Sequence, residues 1–205
     1  MSFYNRVVLP WLINQACGGS PVAKQRAKIV PRAKGEMLEV GIGSGLNLPF
    51  YDTAQVTKVW GLEPSVELRR MAENTAHAVD LAVEFLDLPG EDIPLPDHSV
   101  DTVVITYTLC TIADTAQAQA QMRRVLKPGA ELLFCEHGRA HDAGVRRWQD
   151  RIDPFWGKFT GGCHLNRPID ALIADAGFRF ETMDTMYIPS PRPMSFTYWG
   201  AAVAI

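Results

Sequence analysis

The stretch MLEVGIGSGLNLPFY, residues 37–51, decides the architecture. An apolar, strand-like run ends in three glycines spaced two apart, Gly41, Gly43 and Gly45, with Glu39 just ahead of them. A glycine-rich turn at the end of a strand is where an open parallel sheet brings its backbone close to a nucleotide. Working outward, VTKVWGLEP and AVEFLDL follow as two more strand-like runs, then VDTVVITYT and AELLFCEHG. Helix-like segments separate them, the alternation expected of a parallel sheet wrapped by helices. Between the fourth and fifth runs, DTAQAQAQMRRVLKPG predicts a helix with Asp114 as N-cap, running through Leu126 and stopped by Pro128 and Gly129. Near the C-terminus IDALIADAGF predicts a helix ending at Gly177, and RFETMDTMYI and TYWGAAVAI predict two strands joined by PSPRP. With no crossover between them, these two must pair as an antiparallel hairpin. The expected fold is α/β: a mostly parallel seven-stranded sheet with a C-terminal antiparallel hairpin and helices on both faces, in one domain over residues 1–205.

Bulk properties narrow the function. The 205 residues are 47% hydrophobic and 21% charged, an ordinary composition for one packed domain. A net charge of -3 supplies no basic stripe, so no nucleic-acid partner is expected. No apolar run approaches the ~20 residues that span a bilayer, and MSFYNRVVLPWLINQ lacks the basic head of a signal peptide. Cys17, Cys110, Cys135 and Cys163 show no paired spacing and no nearby histidine set, so no metal is expected. Cys135 reads as core, and a reducing, cytoplasmic setting fits the free cysteines.

Three cofactors compete for the glycine turn. A phosphate loop needs a Gly-Lys-Ser/Thr ending, and Leu46 and Asn47 follow the third glycine instead. The dinucleotide fingerprint wants a glycine at the sixth position, which is Leu46. Glu39 suits an ammonium group and would repel a pyrophosphate, which favours S-adenosylmethionine. Glu63, about twenty residues past the loop, suits the ribose hydroxyls of either adenosine cofactor.

LEVGIGSG and WGLEPS, GEDIPLPDHSVDTVVITYTLC, and RRVLKPGAELLF together resemble the class I S-adenosylmethionine-dependent methyltransferases, with a Rossmann-like fold, across nearly the whole chain. The resemblance implies a cofactor site made by Glu39, Gly41, Gly43 and Gly45, with Asn47 capping the loop, and by Glu63, Pro64, Gly90, Glu91, Thr106 and Cys110. Pro89 stands where many relatives carry Asp, with Asp87 as a substitute contact. YTLCTI, CEHGRA, DPFW and GGCHLNR further resemble the small methyltransferase-like proteins that methylate alkyl thiols and hydrogen sulfide. Animal members carry an N-terminal membrane anchor that is not expected here, and some bacterial relatives are labelled phospholipid N-methyltransferases. A small-molecule acceptor is implied, a thiol before an amine.

The acceptor side is drawn from residues 138–168, an insertion rich in aromatic and basic residues. His137, at the end of the fifth strand, and His164 are the candidate bases or thiolate stabilisers, and each has a structural hydrogen bond as its alternative. Asp153 is grouped with them as a catalytic candidate; Arg167 is placed on the substrate side, adding positive potential, with an ion pair to Asp153 as its alternative. Cys163 reads as packing before reactive thiol. His77, His98 and His141 carry no role. The spacing of Trp148, Ile152, Phe155, Trp156 and Phe159 predicts a helix whose apolar face meets the core, with a wall of the acceptor pocket as a compatible second reading. Residues 1–34 are expected to form a helical lid, with Tyr4, Val8 and Trp11 over the cofactor. A membrane-surface role for FYNRVVLPWLI, residues 3–13, is less favoured, because Arg6 is the sole basic residue of that stretch.

Overall fold

A computed structural model describes Tyr4 and residues 8–205; Arg6 lies outside the described residues. Seven strands lie among the described residues: β1 (Gly35–Val40), β2 (Val56–Leu62), β3 (Val83–Leu86), β4 (Val100–Thr106), β5 (Leu126–His137), β6 (Phe178–Tyr187) and β7 (Phe196–Ala204). Their order is β3-β2-β1-β4-β5-β7-β6. The first five run parallel, and β7 is antiparallel to both β5 and β6. The terminal hairpin therefore inserts its second strand against β5 and leaves β6 at the edge. The central strands β1 and β4 read as largely apolar runs because both faces of the sheet are covered there. One core packs Leu38, Val103, Ile105, Leu132 and Phe134 on one face, and a second packs Met37, Val59, Val104 and Leu133 on the other.

Six α-helices lie among the described residues: α1 (Leu9–Gly18), α2 (Ser20–Ile29), α3 (Val66–Ala76), α4 (Thr115–Val125), α5 (Ala143–Phe159) and α6 (Ile169–Asp175). Asp114 caps α4 by accepting from the Gln117 N–H. This helix stops at Val125, one residue before the expected end, and its C-cap Leu126 begins β5. Gly177, at φ +81°, turns the chain out of α6.

The longest helix among the described residues is α5, within the acceptor-region insertion, with Pro154 inside it. Its aromatic stripe does not face the core. Trp148, Phe155 and Phe159 are exposed, the last two to 66%, and the buried side chains are Gln149 and Asp153. Gln149 Nε2 donates to the Gly138 and Pro193 carbonyls and its Oε1 accepts from the Ala140 N–H, so a polar residue ties this face to the fold. No helix among the described residues is long and apolar enough to cross a membrane.

β1 pairs with β2 on one side and β4 on the other, so the chain's winding direction reverses between β1 and β4. Such a switch opens a crevice at the carboxyl ends of the strands. The loops leaving β1, β2 and β4, and the last residue of β5, all converge there.

Candidate active site

A cavity of about 540 Å³ occupies the crevice, within the range of small-molecule sites. Its floor is the turn after β1. Gly41, Gly43 and Gly45 all have positive φ, at +71°, +57° and +80°. At Gly41 a Cβ would stand 2.3 Å from the Thr108 side chain, so this position requires glycine for space as well as for conformation. Thr108 Oγ1 faces the Gly41 and Thr106 carbonyls, locking the turn after β1 to the end of β4.

Glu39 lines the cavity from the last turn of β1. Its carboxylate is buried and accepts from Asn47 Nδ2 at 2.8 Å and Tyr51 Oη at 2.6 Å. Burial pushes its pKa up to about 7, against the pull of Tyr51, Asn47 and the nearby Arg26. Asn47 does not cap the short helix after the loop; its amide bridges Glu39 and Thr106 Oγ1. Asn47 Oδ1 is left buried without a partner beside the cavity.

Glu63, at the end of β2, accepts from the Gly43 N–H at 3.1 Å and the Ser65 N–H at 2.8 Å. Burial raises its pKa despite those bonds. Beyond Glu63 and Pro64 the crevice continues into a recess of about 280 Å³ lined by Leu88, Pro89, Gly90 and Glu91. Asp87 lines neither space; it is an exposed ion-pair partner of Arg69 at 2.7 Å. Glu91 Oε1 accepts the Asp114 N–H, which ties the recess to the start of α4.

The N-terminal helices contribute Leu9, Pro10, Ile13, Cys17 and Arg26 to the cavity lining. Trp11 is 57% exposed and lines neither space. Tyr4 instead donates to the Phe159 carbonyl, joining the chain start to the end of α5. Arg26 was not singled out from the sequence. It is buried against the cavity, donates to the Cys17 carbonyl at 2.6 Å, and sits 5.1 Å from the Tyr107 ring centroid. Tyr51, twelve residues from Glu39 and inside the stretch that sets the fold, was missed too. An aromatic hydroxyl following a glycine loop carries no signal of its own.

Next to the cavity, three elements bring sulfur and nitrogen together. Cys110 lies in the turn after β4, His137 ends β5, and Cys163 follows the glycine pair after α5. Their ligand atoms all lie within 4.8 Å of one another, and Cys163 Sγ is 3.2 Å from His137 Nε2. The Cys110 contact is the largest influence holding the Cys163 thiol well below its usual range; burial opposes it, and His137 and the Trp156 indole reinforce it. For His137 burial opposes the charged ring, but Cys163 and Glu136 outweigh it, so its pKa is raised. His137 also stacks on Tyr107, which lines the cavity. Cys163 is thus half-buried in contact with His137 and Cys110.

Cys110 lines neither the cavity nor the recess, so its place is in this cluster. Glu136 is fully buried and accepts the Thr108 and Leu109 N–H groups through Oε1, while Oε2 has no partner. Arg167 does not pair with Asp153; its guanidinium donates to the Leu109 carbonyl at 2.7 Å. Asp153 is taken by His164 Nδ1 at 2.8 Å and by the Leu165 N–H at 2.6 Å.

A family profile described as "Methyltransferase domain" matches residues 38–134. Human thiol S-methyltransferase TMT1B is 34% identical over 135 residues, covering 64% of this chain and 54% of that protein. The phosphatidylethanolamine N-methyltransferase of Cereibacter sphaeroides is 28% identical over 158 residues, covering 76% and 75%. Among solved structures, an S-adenosylmethionine-dependent methyltransferase of Thermotoga maritima, described as a possible histamine N-methyltransferase, superposes with a TM-score of 0.70 at 19% identity over 98% of both chains. The chain spans about half the length of the TMT1B relative it matches.

Proposed function

Because the chain belongs to the class I S-adenosylmethionine-dependent methyltransferases, we propose that it methylates a small thiol or sulfide on sulfur. The observation that carries this reading is the sulfur environment beside the cavity. The same neighbours that favour the Cys163 thiolate would favour the thiolate of an acceptor placed among them. A thiol with an ordinary pKa near ~8.5 needs only such a modest shift to react near neutrality, whereas an ammonium acceptor needs its positive charge removed.

The residues lining the crevice fit the cofactor. Asn47 Oδ1 and the Glu39 carboxylate would receive its ammonium, and Arg26 would face its carboxylate. Glu63 would bind the ribose hydroxyls, Pro64, Gly90 and Glu91 would border the adenine, and the Thr106 carbonyl would stand near the amine. Bound there, S-adenosylmethionine supplies a methyl group on a sulfonium, open to in-line displacement, where positioning and exclusion of water contribute most. Leu9, Pro10 and Ile13 would exclude water from above. His137 and Trp156 would stabilise the acceptor thiolate, while His164, Asp153 and Arg167 would hold the loop that presents Cys163.

A second reading has its own observation. Trp11, Leu12, Phe155 and Phe159 expose an apolar surface on helices α1 and α5, which meet where Tyr4 reaches Phe159 and Leu9 packs on Gly161. Such a surface suits a lipid, and a relative is named as a phosphatidylethanolamine N-methyltransferase. Incubation with S-adenosylmethionine and either a panel of small thiols or phosphatidylethanolamine vesicles, with products read by mass, separates the two. The methyl thioether is the expected product. Methylated lipid without thioether overturns the proposal.

A further inference from the structure

We infer that Cys110, His137 and Cys163 form a three-ligand site for zinc, with the fourth corner of the tetrahedron open toward the acceptor. The ligand atoms come from three separate elements yet lie within 4.8 Å of one another. Zinc bonds of about 2.3 Å to sulfur and 2.0–2.1 Å to nitrogen put the sulfur–nitrogen edge of a tetrahedron at about 3.5 Å; the Cys163–His137 separation is 3.2 Å. Two thiolates, one imidazole and an open position are a donor set that suits this ion and matches catalytic zinc sites.

A second observation is an unpartnered buried oxygen beside the ligands. Glu136 is fully buried directly beside His137, and its Oε2 has no partner. Its Oε1 is already used to hold the turn that carries Cys110. A buried carboxyl oxygen without a partner, beside two thiols and an imidazole that converge from three elements, is an unmet polar demand at this spot.

The site is also rigidly supported, as a metal site must be. The His164 N–H donates to the Cys110 carbonyl at 2.9 Å, so the two cysteine segments are bonded to each other. Arg167 donates to the Leu109 carbonyl, and the Leu165 N–H donates to Asp153. These contacts fix the loop at the residues flanking Cys163 and fix the turn at the residue before Cys110. Local spacing could not reveal the set, because its members are 27 and 26 residues apart in sequence.

Resting on the thiol reading above, the open corner would take the acceptor's sulfur. Coordination breaks the S–H bond, releases that proton to solvent, and leaves a metal-bound thiolate facing the methyl donor. Metal binding itself is tested without any acceptor, so the two proposals can fail separately.

The full chain, reduced and stripped with a chelator, is titrated with zinc chloride against a chromophoric chelator. One equivalent should bind, and Cys110→Ser, Cys163→Ser and His137→Ala should each weaken binding at least about a hundredfold, while Cys135→Ser leaves it unchanged. If the variants do not fold, the wild type suffices: zinc should protect Cys110 and Cys163, and not Cys17, from alkylation mapped by mass spectrometry. Absence of stoichiometric uptake, equal uptake by the ligand variants, or unprotected Cys110 and Cys163 overturns the site. So does a Cys110–Cys163 disulfide in protein that takes up no zinc after reduction. With cobalt in place of zinc, a small thiol should change the metal's absorption spectrum; an unchanged spectrum overturns the open corner and leaves the thiol reading to its own product analysis.

Discussion

With Glu39 assigned to the cofactor's ammonium as proposed, cofactor binding should be sensitive to pH. Its carboxylate is buried under Asn47 and Tyr51, and its pKa is pushed up to about 7. Pairing with the ammonium of a bound cofactor requires the charged form. Between pH 7 and pH 5 its charged fraction falls from about one half to about one in a hundred, while an α-ammonium stays fully protonated. Affinity for S-adenosylhomocysteine, which keeps that ammonium, should therefore fall about 50-fold, or ~2.3 kcal/mol, on acidification across that range. Titration calorimetry at half-unit pH steps reads this directly. Glu39→Gln should bind weakly at pH 7 and lose the slope. A pH-independent affinity in the wild type, or the same slope in the Gln variant, would refute the assignment of Glu39 to the ammonium.

Other consequences follow from the same geometry. The Glu39 pKa lies above its unfolded value, so its stabilising contribution is present below about pH 4.5 and lost as pH rises through about 7; the cofactor-free protein should gain up to ~3 kcal/mol from this group between pH 8 and pH 5. Chemical denaturation of wild type against Glu39→Gln isolates that share. Gly41→Ala forces a Cβ into the Thr108 side chain at positive φ and should cost ~2 kcal/mol or more in stability, with calorimetric cofactor affinity falling at least tenfold. Arg167→Ala leaves the Leu109 carbonyl short of a donor and should cost ~1–3 kcal/mol, measured by denaturation, with weakened zinc uptake as the readout specific to its position. Asp114→Ala removes a helix cap for ~1 kcal/mol and should leave the KM for both substrates unchanged.

The sheet was legible because its central strands, β1 and β4 above all, are buried on both faces and so appear as apolar runs bounded by turns. Asp114 and Gly177 were legible because capping and positive φ restrict residue choice locally. The aromatic stripe of α5 shows the limit. Periodicity places Trp148, Phe155 and Phe159 on one side of a helix, but it does not say which side meets the core, and Gln149 and Asp153 took that place through hydrogen bonds. Glu39 and Glu63 were readable from their fixed distance to the glycines. Arg26 was not, since its position depends on how α2 packs over the sheet. The grouping of Cys110, His137 and Cys163 is equally non-local, set by a turn, a strand end and a helix exit meeting at one edge of the sheet.

The account's central claim is that the methyl group goes to sulfur. A single vessel holding S-adenosylmethionine labelled on its methyl group, a small alkyl thiol and phosphatidylethanolamine vesicles, with label counted in each product, tests it most directly. Label in the thioether, and none in lipid above an enzyme-free control, is the expected result. Label carried by the lipid with none on the thiol would contradict it.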